Sequence, residues 1–395
     1  MSVNNAGTIR KAAGNCWRSK NASGAWNPAS RSEPRVGRLI QFHPSVAARD
    51  AIGNEIVAIH EAATRAGIQA SVHAMDAGTV EGISVRALKR LKVRPSDTLL
   101  IHYSLGHPAF EDLVTAGCRR LMIYHDVTPP HLLAGAPREM VAAAKDGLER
   151  AGFVARHTHR VAAHSRSSAA SLRAHGGPDA DVIPYLLRDE LLRAAPDDAI
   201  LAQSKLSCST LLVAGRVLPH KRIEDALLVY DYLRRISPHS WRLAVVGSTD
   251  LAPGYVEGLT GLCRKMGLPR VLFTGAVPQA GMNAWFGISR AFLTMSEHEG
   301  FCVPVVEAMH HRLPVFALAA AAVPETMRGA GVAFDTADWP TIAEAIDAVD
   351  RDPGLRARII EGQAEVARYY HPEAVAGAWM RWLGEAGGQR SAIPA

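Results

Sequence analysis

Glu299 and Glu307, with seven residues between them, frame a stretch whose residue types are hard to read as plain surface. Gly300, Phe301, Cys302 and Val303 follow the first glutamate, and then comes Pro304. Proline suits the first turn of a helix, where its missing N–H costs nothing. Cys302 and Val303 are poor N-caps, so the first N–H groups of that helix lack a side-chain acceptor. Such an end, helped by the helix dipole, can bind an anion. Glu299 then sits in the loop before this end and Glu307 just past the first turn. One carboxylate can accept hydrogen bonds from sugar hydroxyls and the other from a ribose diol. A solvated loop glutamate and a helix glutamate favoured by the dipole read the residues equally well.

A second stretch breaks a local rule. In Gly215-Arg216-Val217-Leu218-Pro219-His220-Lys221-Arg222, the spacing predicts a helix from near Pro219 through Leu228. Lys221 and Arg222 then fall in its first turn, where the dipole disfavours cations. A broken rule at a strand end hints at function. Arg216, a planar fork, and Lys221, a point charge, could clamp a diphosphate. The plainer reading is solvated cations with Glu224 and Asp225 as partners.

The first half of the chain offers His102, Tyr103, Ser104, Gly106 and His107 after one apolar run, and Tyr124, His125, Asp126 and Thr128 after the next. A histidine at a strand end can donate to a sugar hydroxyl or a phosphate. With 17 histidines in the chain, any single one is more often incidental. Asp50 to Asn54 opens a helix. Gly53 could let a ligand approach the backbone there, while Asp50 could simply cap it. Asp350-Arg351-Asp352 reads as surface charge.

These residues need elements to hold them. The 395-residue chain, 48% hydrophobic and 21% charged, is long enough for two or three domains. Residues 1–35 show no periodicity and read as a mobile tail. Beyond them, short apolar runs alternate with helical spacing. Strands are expected at 36–42, 68–74, 97–104, 120–126, 159–165 and 180–186, with a helix over 53–67. A polar stretch near Arg188–Ser207 reads as a boundary. A second series follows at 210–215, 241–247, 270–275, 290–296 and 313–319. The alternation predicts α/β architecture in two parallel-sheet domains, 36–190 and 200–365. Residues 366–395 form a last helical segment expected to cross the domain junction. In such sheets, ligands bind at the carboxyl ends of the strands.

Composition narrows the function. The net charge of +6 suits phosphate-bearing ligands or an anionic membrane surface. Zinc-finger spacing, basic zippers and RNP-like runs are absent, so no nucleic-acid partner is expected. The five scattered cysteines, without CxxC or metal spacing, read as reduced thiols in a cytoplasmic protein. No apolar run reaches the ~18 residues of a membrane span, and the N-terminus lacks a secretory h-region. Peripheral contact with the inner face of a membrane stays open. The sequence has no GxxxxGK[ST], no GxGxxG after the first strand and no GxSxG, which argues against a P-loop, a dinucleotide cofactor and a serine-elbow hydrolase.

The second half resembles the retaining GT-B glycosyltransferases of family 4, also called glycosyl transferases group 1. The likeness rests on Glu299 to Glu307 in EHEGFCVPVVEAM, on GRVLPHKR, and on LPVFALAAAAVPET with the GAGVAF strand after it. In the first half, DAIGN and IYHDVTPP resemble a mannosyltransferase-like branch. The resemblance implies two Rossmann-like domains with parallel sheets facing across a cleft. It implies a nucleotide-diphosphate sugar as donor and substrate, a glycan or lipid-linked acceptor, and no metal or other cofactor. Arg216 and Lys221 would match the diphosphate clamp. Glu307 would match the ribose carboxylate, and Glu299 the residue near the donor sugar. Gly300, Phe301 and Val303 would line the donor, and His125 would contact the sugar near its 6-position. Asp50, Gly53, Asn54 and Asp126 would face the acceptor. His310, His311 and Arg312 stand where the family has small residues, and HPSVAARD lacks its Gly-Gly pair. A nucleotide-sugar epimerase or phosphorylase on the same fold, or a non-catalytic partner of another transferase, are the competing expectations.

Overall fold

The computed structural model describes residues 37–48, 50–205 and 208–385. The expected tail over 1–35 and the end of the last segment, residues 386–395, lie outside them. Among the described residues, fourteen strands form two sheets. The first contains β1 (Arg38–Phe42), β2 (Gln69–Ala74), β3 (Gly78–Val80), β4 (Ile83–Ala87), β5 (Thr98–Tyr103), β6 (Arg119–Tyr124), β7 (Arg160–Ala163) and β8 (Asp181–Val182). The second contains β9 (Ser209–Ala214), β10 (Trp241–Val246), β11 (Val271–Phe273), β12 (Ala291–Thr294), β13 (Val315–Leu318) and β14 (Val332–Phe334).

The second sheet is parallel throughout, in the order β11-β10-β9-β12-β13-β14. This doubly wound order reverses direction between β9 and β12, which opens a crevice at their carboxyl ends. The first sheet runs β3-β4-β2-β1-β5-β6-β7-β8 and reverses between β1 and β5. Parallel strands are covered on both faces, so they read as unbroken apolar runs. Every residue of β5 and of β10 is buried.

Local chemistry explains the departures from the expected elements. The run expected as a strand over 180–186 pairs only at Asp181–Val182. Pro184 has no N–H to continue the ladder. The antiparallel β3–β4 hairpin was not expected. It turns on Glu81 and Gly82, both at positive φ (48° and 80°), the geometry of a tight hairpin turn. The helix after β9 starts later than its spacing predicts. Pro219–Lys221 is a 3-10 turn, Arg222 adopts φ 50°, and the α-helix runs Ile223–Ile236. Lys221 and Arg222 therefore avoid its first turn. Arg222 is held instead by Glu297, Glu224 and Asp225.

The described residues belong to one compact unit. Tyr185, Leu187 and Leu192 enter the core on one face of the second sheet, whereas Ile183 and Leu186 stay with the first. The chain returns at its other end. Tyr370 lies in the second sheet's core, and the helix Pro372–Gly384 buries Val375, Trp379, Trp382 and Leu383 with Leu39, Leu100 and Leu121 of the first. Trp379 Nε1 donates to Pro184 O at 3.1 Å, and Trp382 Nε1 to Asp181 Oδ2 at 2.8 Å. Among the described residues, no helix is long and apolar enough to cross a membrane.

Candidate active site

The carboxyl ends of β9 and β12 carry the charged groups. β9 runs into Gly215 at φ 126°, a conformation that side chains avoid. The Lys221 Nζ lies 3.7 Å from where a Cβ on Gly215 would stand, in ordinary van der Waals range. From there Nζ reaches Glu299 Oε1 in the loop after β12, at 2.5 Å. Both side chains are largely buried. Burial works against the Glu299 charge, but the Lys221 ammonium outweighs it and holds the carboxyl below its usual range. His220 beside them is pushed down to about 3 by burial and by Lys221, so it is neutral. Arg216 is half-exposed, and its Nη1 lies 3.5 Å from Asp50 Oδ1, which links the loop after β9 to the start of the helix Ala51–Arg65.

The helix after this loop runs Val303–His310. Cys302 precedes it at φ 70°, and no side chain caps its N-terminus. Its first-turn donors and dipole thus face the loop that carries Glu299. Glu307 stands further along this helix, half-buried. Desolvation pushes its carboxyl up to about 7, against a hydrogen bond with Gln279 that favours the charged form. A carboxyl so poised can take up a diol by becoming a carboxylate.

Two residues expected to line the donor face elsewhere. The Phe301 ring is buried, stacked on Tyr185 at 6.0 Å and set edge-on to Tyr370 at 5.2 Å. Only its backbone is left for a ligand, and its carbonyl accepts from Thr326 Oγ1. The Val303 side chain packs against the core of the second sheet. Gly300 fastens the loop to the first domain. Its carbonyl accepts from Ser165 Oγ (2.9 Å) and lies 3.1 Å from Ser168 Oγ, whose proton goes to Asp126. A Cβ on Gly300 would stand 2.5 Å from His125 O.

The acceptor-side residues are also tied down. Asp50 caps the helix Ala51–Arg65 by accepting from Gly53 N at 3.3 Å, and the Asn54 N–H donates to Asp50 O. Gly53 is needed because the Ala47 carbonyl occupies the place of a Cβ, so the chain's own loop takes the close approach left for a ligand. Asp126, at φ 71°, accepts from Val127 N, Ser168 Oγ and Ser171 Oγ at 2.9–3.0 Å. Its carboxylate is spent on holding the turn to the helix Arg166–Ala174. His298 Nε2 approaches it at 3.9 Å.

His125 is engaged by two neighbouring histidines. Its Nε2 meets His102 Nδ1 at 2.9 Å, and its Nδ1 meets His164 Nε2 at 3.2 Å. Burial and the neighbouring histidines hold His125 and His102 well below the usual range. Burial also opposes charge on His164, but the Glu55 carboxylate outweighs it and raises the value. Among the described residues, Glu55, His125 and His164 are the one group with metal-ligand geometry. The sequence reading missed Glu55 and His164. A carboxylate directly before Ile56, on the apolar face of its helix, was the signal.

Taken together, two cations and an uncapped helix end can bind a diphosphate and stabilise it as a leaving group. Glu299 and Glu307 can accept from hydroxyls. Residues 203–366 match the family described as glycosyl transferases group 1. HepE of Anabaena, solved with UDP and glucose, is 17% identical with a TM-score of 0.69, covering 88% of this chain and 99% of that one. Sucrose-phosphate synthase from Thermosynechococcus elongatus gives 17% and 0.67, with the same coverage. An E. coli structure described as trehalose-6-phosphate bound with UDP-2-fluoro glucose gives 11% and 0.66, covering 89% and 99%. At these identities the likeness establishes the fold, GT-B. The curated proteins yielded no match.

Proposed function

We propose that this chain, whose residues 203–366 match the glycosyl transferases group 1 family, is a glycosyltransferase whose donor is a UDP-borne hexose transferred with retention of anomeric configuration. The observation that carries this reading is the Lys221–Glu299 pair beside an uncapped helix end at the β9–β12 crevice. The bound UDP of the solved relatives supports the choice of nucleotide. In this reading the donor diphosphate takes Lys221 from Glu299 and Arg216 from Asp50. Glu299, released, accepts from the sugar hydroxyls, and Glu307 from the ribose diol. The C1–O bond breaks with its electron pair on the departing phosphate oxygen. An acceptor hydroxyl attacks the oxocarbenium-like sugar from the same face, and its proton passes to that phosphate oxygen. Cationic side chains and helix N–H groups carry the leaving-group charge, so transfer itself requires no metal.

The likeness of DAIGN and IYHDVTPP to a mannosyltransferase-like branch supports mannose as a candidate hexose. The acceptor is a glycan or a lipid-linked glycan, which would place the protein in the cytoplasm at the inner face of a membrane. Incubation with UDP-, GDP- and dTDP-hexoses tests the reading. Release of UDP with transfer or hydrolysis supports it. Epimer formation, or binding without turnover, would replace it with one of the competing activities.

A further inference from the structure

We propose that Glu55, His125 and His164 form a buried binding site for a zinc-like divalent cation that locks the first domain beneath the donor loop. The tautomers follow from the outer partners. Gln41 Nε2 donates to Ile56 O at 3.0 Å, which fixes its amide and leaves Oε1 facing His102. His102 Nε2 must therefore carry the proton that Gln41 Oε1 accepts at 2.9 Å, and a neutral His102 leaves Nδ1 bare. His125 Nε2 then donates to that Nδ1, leaving its own Nδ1 bare. His164 Nδ1 donates to Ile183 O at 3.1 Å, which leaves Nε2 bare. Glu55 Oε1 accepts from Leu186 N, while Oε2, on a fully buried side chain, receives no hydrogen bond.

Three potential ligand atoms thus converge, and a cation there would take the place of any proton held on His164 Nε2. Their separations are 3.0 Å (His164 Nε2 to Glu55 Oε2), 3.2 Å (His164 Nε2 to His125 Nδ1) and 3.6 Å (His125 Nδ1 to Glu55 Oε2). Zinc bound at about 2.0–2.1 Å would space tetrahedral ligands about 3.3 Å apart, close to the middle of that range. The second shell fits as well, because each histidine's other ring nitrogen is engaged by a carbonyl or a further histidine. Tyr185, Phe301 and Trp379 surround His164 edge-on at 5.8–6.3 Å. In that apolar wall an unpaired carboxylate oxygen is costly. A cation would bind the helix Ala51–Arg65 to the ends of β6 and β7, where the donor loop and the last helix also meet. The role is one of positioning, separate from the transfer chemistry.

The competing occupant is a proton on His164 Nε2. That nitrogen lies 3.0 Å from Glu55 Oε2 and 3.2 Å from His125 Nδ1, so the proton and the cation would compete for the same point. The test uses the full chain, purified without chelators or metal resins and analysed by elemental mass spectrometry. The expected result is about one zinc per chain, removed by EDTA, restored by Zn²⁺ with a rise in melting temperature, and replaced by Co²⁺ with the visible spectrum of a tetrahedral site. Glu55→Gln and His164→Ala should lose this zinc, while a UDP-induced thermal shift reports that the donor half is folded. Failure of the wild-type chain to hold zinc at excess Zn²⁺ would overturn the proposal. So would His164→Ala binding zinc as the wild type does, or nitrogen NMR showing both His164 ring nitrogens protonated in zinc-treated protein.

Discussion

Lys221 and Glu299 neutralise one another at the head of the crevice, and in the proposed function a donor diphosphate takes over that ammonium. Removing the ammonium removes a charge aimed at the leaving group. Lys221→Ala is expected to lower kcat by about 10²–10³-fold, measured as nucleotide release, with an unchanged circular dichroism spectrum. Glu307 supplies a pH signature. Its carboxyl rises from 4.5 in the reference state to about 7 in the fold. The native state therefore holds a proton that the unfolded chain gives up. The stability this confers is fully present below 4.5 and is lost as pH climbs through about 7. The difference in melting temperature between wild type and Glu307→Gln should change across that window. UDP affinity should rise with pH through the same range, because the diol needs the carboxylate, and Glu307→Gln should flatten that rise in calorimetric titrations.

At the scale of elements, the parallel strands were legible because burial on both faces makes them apolar runs. The β3–β4 hairpin was not, since its strands are short and its Glu81-Gly82 turn lacks the usual Asn-Gly signal. β8 was overread because the apolar residues after Val182 pack without pairing past Pro184. The charged loops stood out by breaking local rules within a few residues. That Lys221 meets Glu299 depends on the strand order, which sets β9 beside β12. Glu55, His125 and His164 come from one helix and two strand ends, so no local pattern joins them. Phe301 illustrates the converse, because a loop phenylalanine carries no mark of which way it faces. The last helix is held chiefly by its tryptophans. Trp379 is fully buried, and Trp379→Ala should cost about 3–5 kcal/mol, read from urea unfolding.

At the scale of the molecule, the halves built on the two sheets meet through the loop after β12, with Ser165 donating to Gly300 O, Arg166 N donating to Glu325, and Arg216 facing Asp50. The fit against His125 O leaves no space for a methyl group at Gly300. Gly300→Ala should therefore spread this junction and lower kcat more than it weakens UDP binding, because the proposed nucleotide contacts lie on the half built on the second sheet. Equal loss of both would show that the loop serves only the donor. The most direct test of the central claim is proton NMR of UDP-hexose turnover, with water as acceptor, in wild type and Lys221→Ala. The account predicts UDP release with the sugar first appearing in the donor's anomeric configuration, and near-silence from the variant. An inverted sugar, or a Lys221→Ala enzyme that turns over like the wild type, would contradict it.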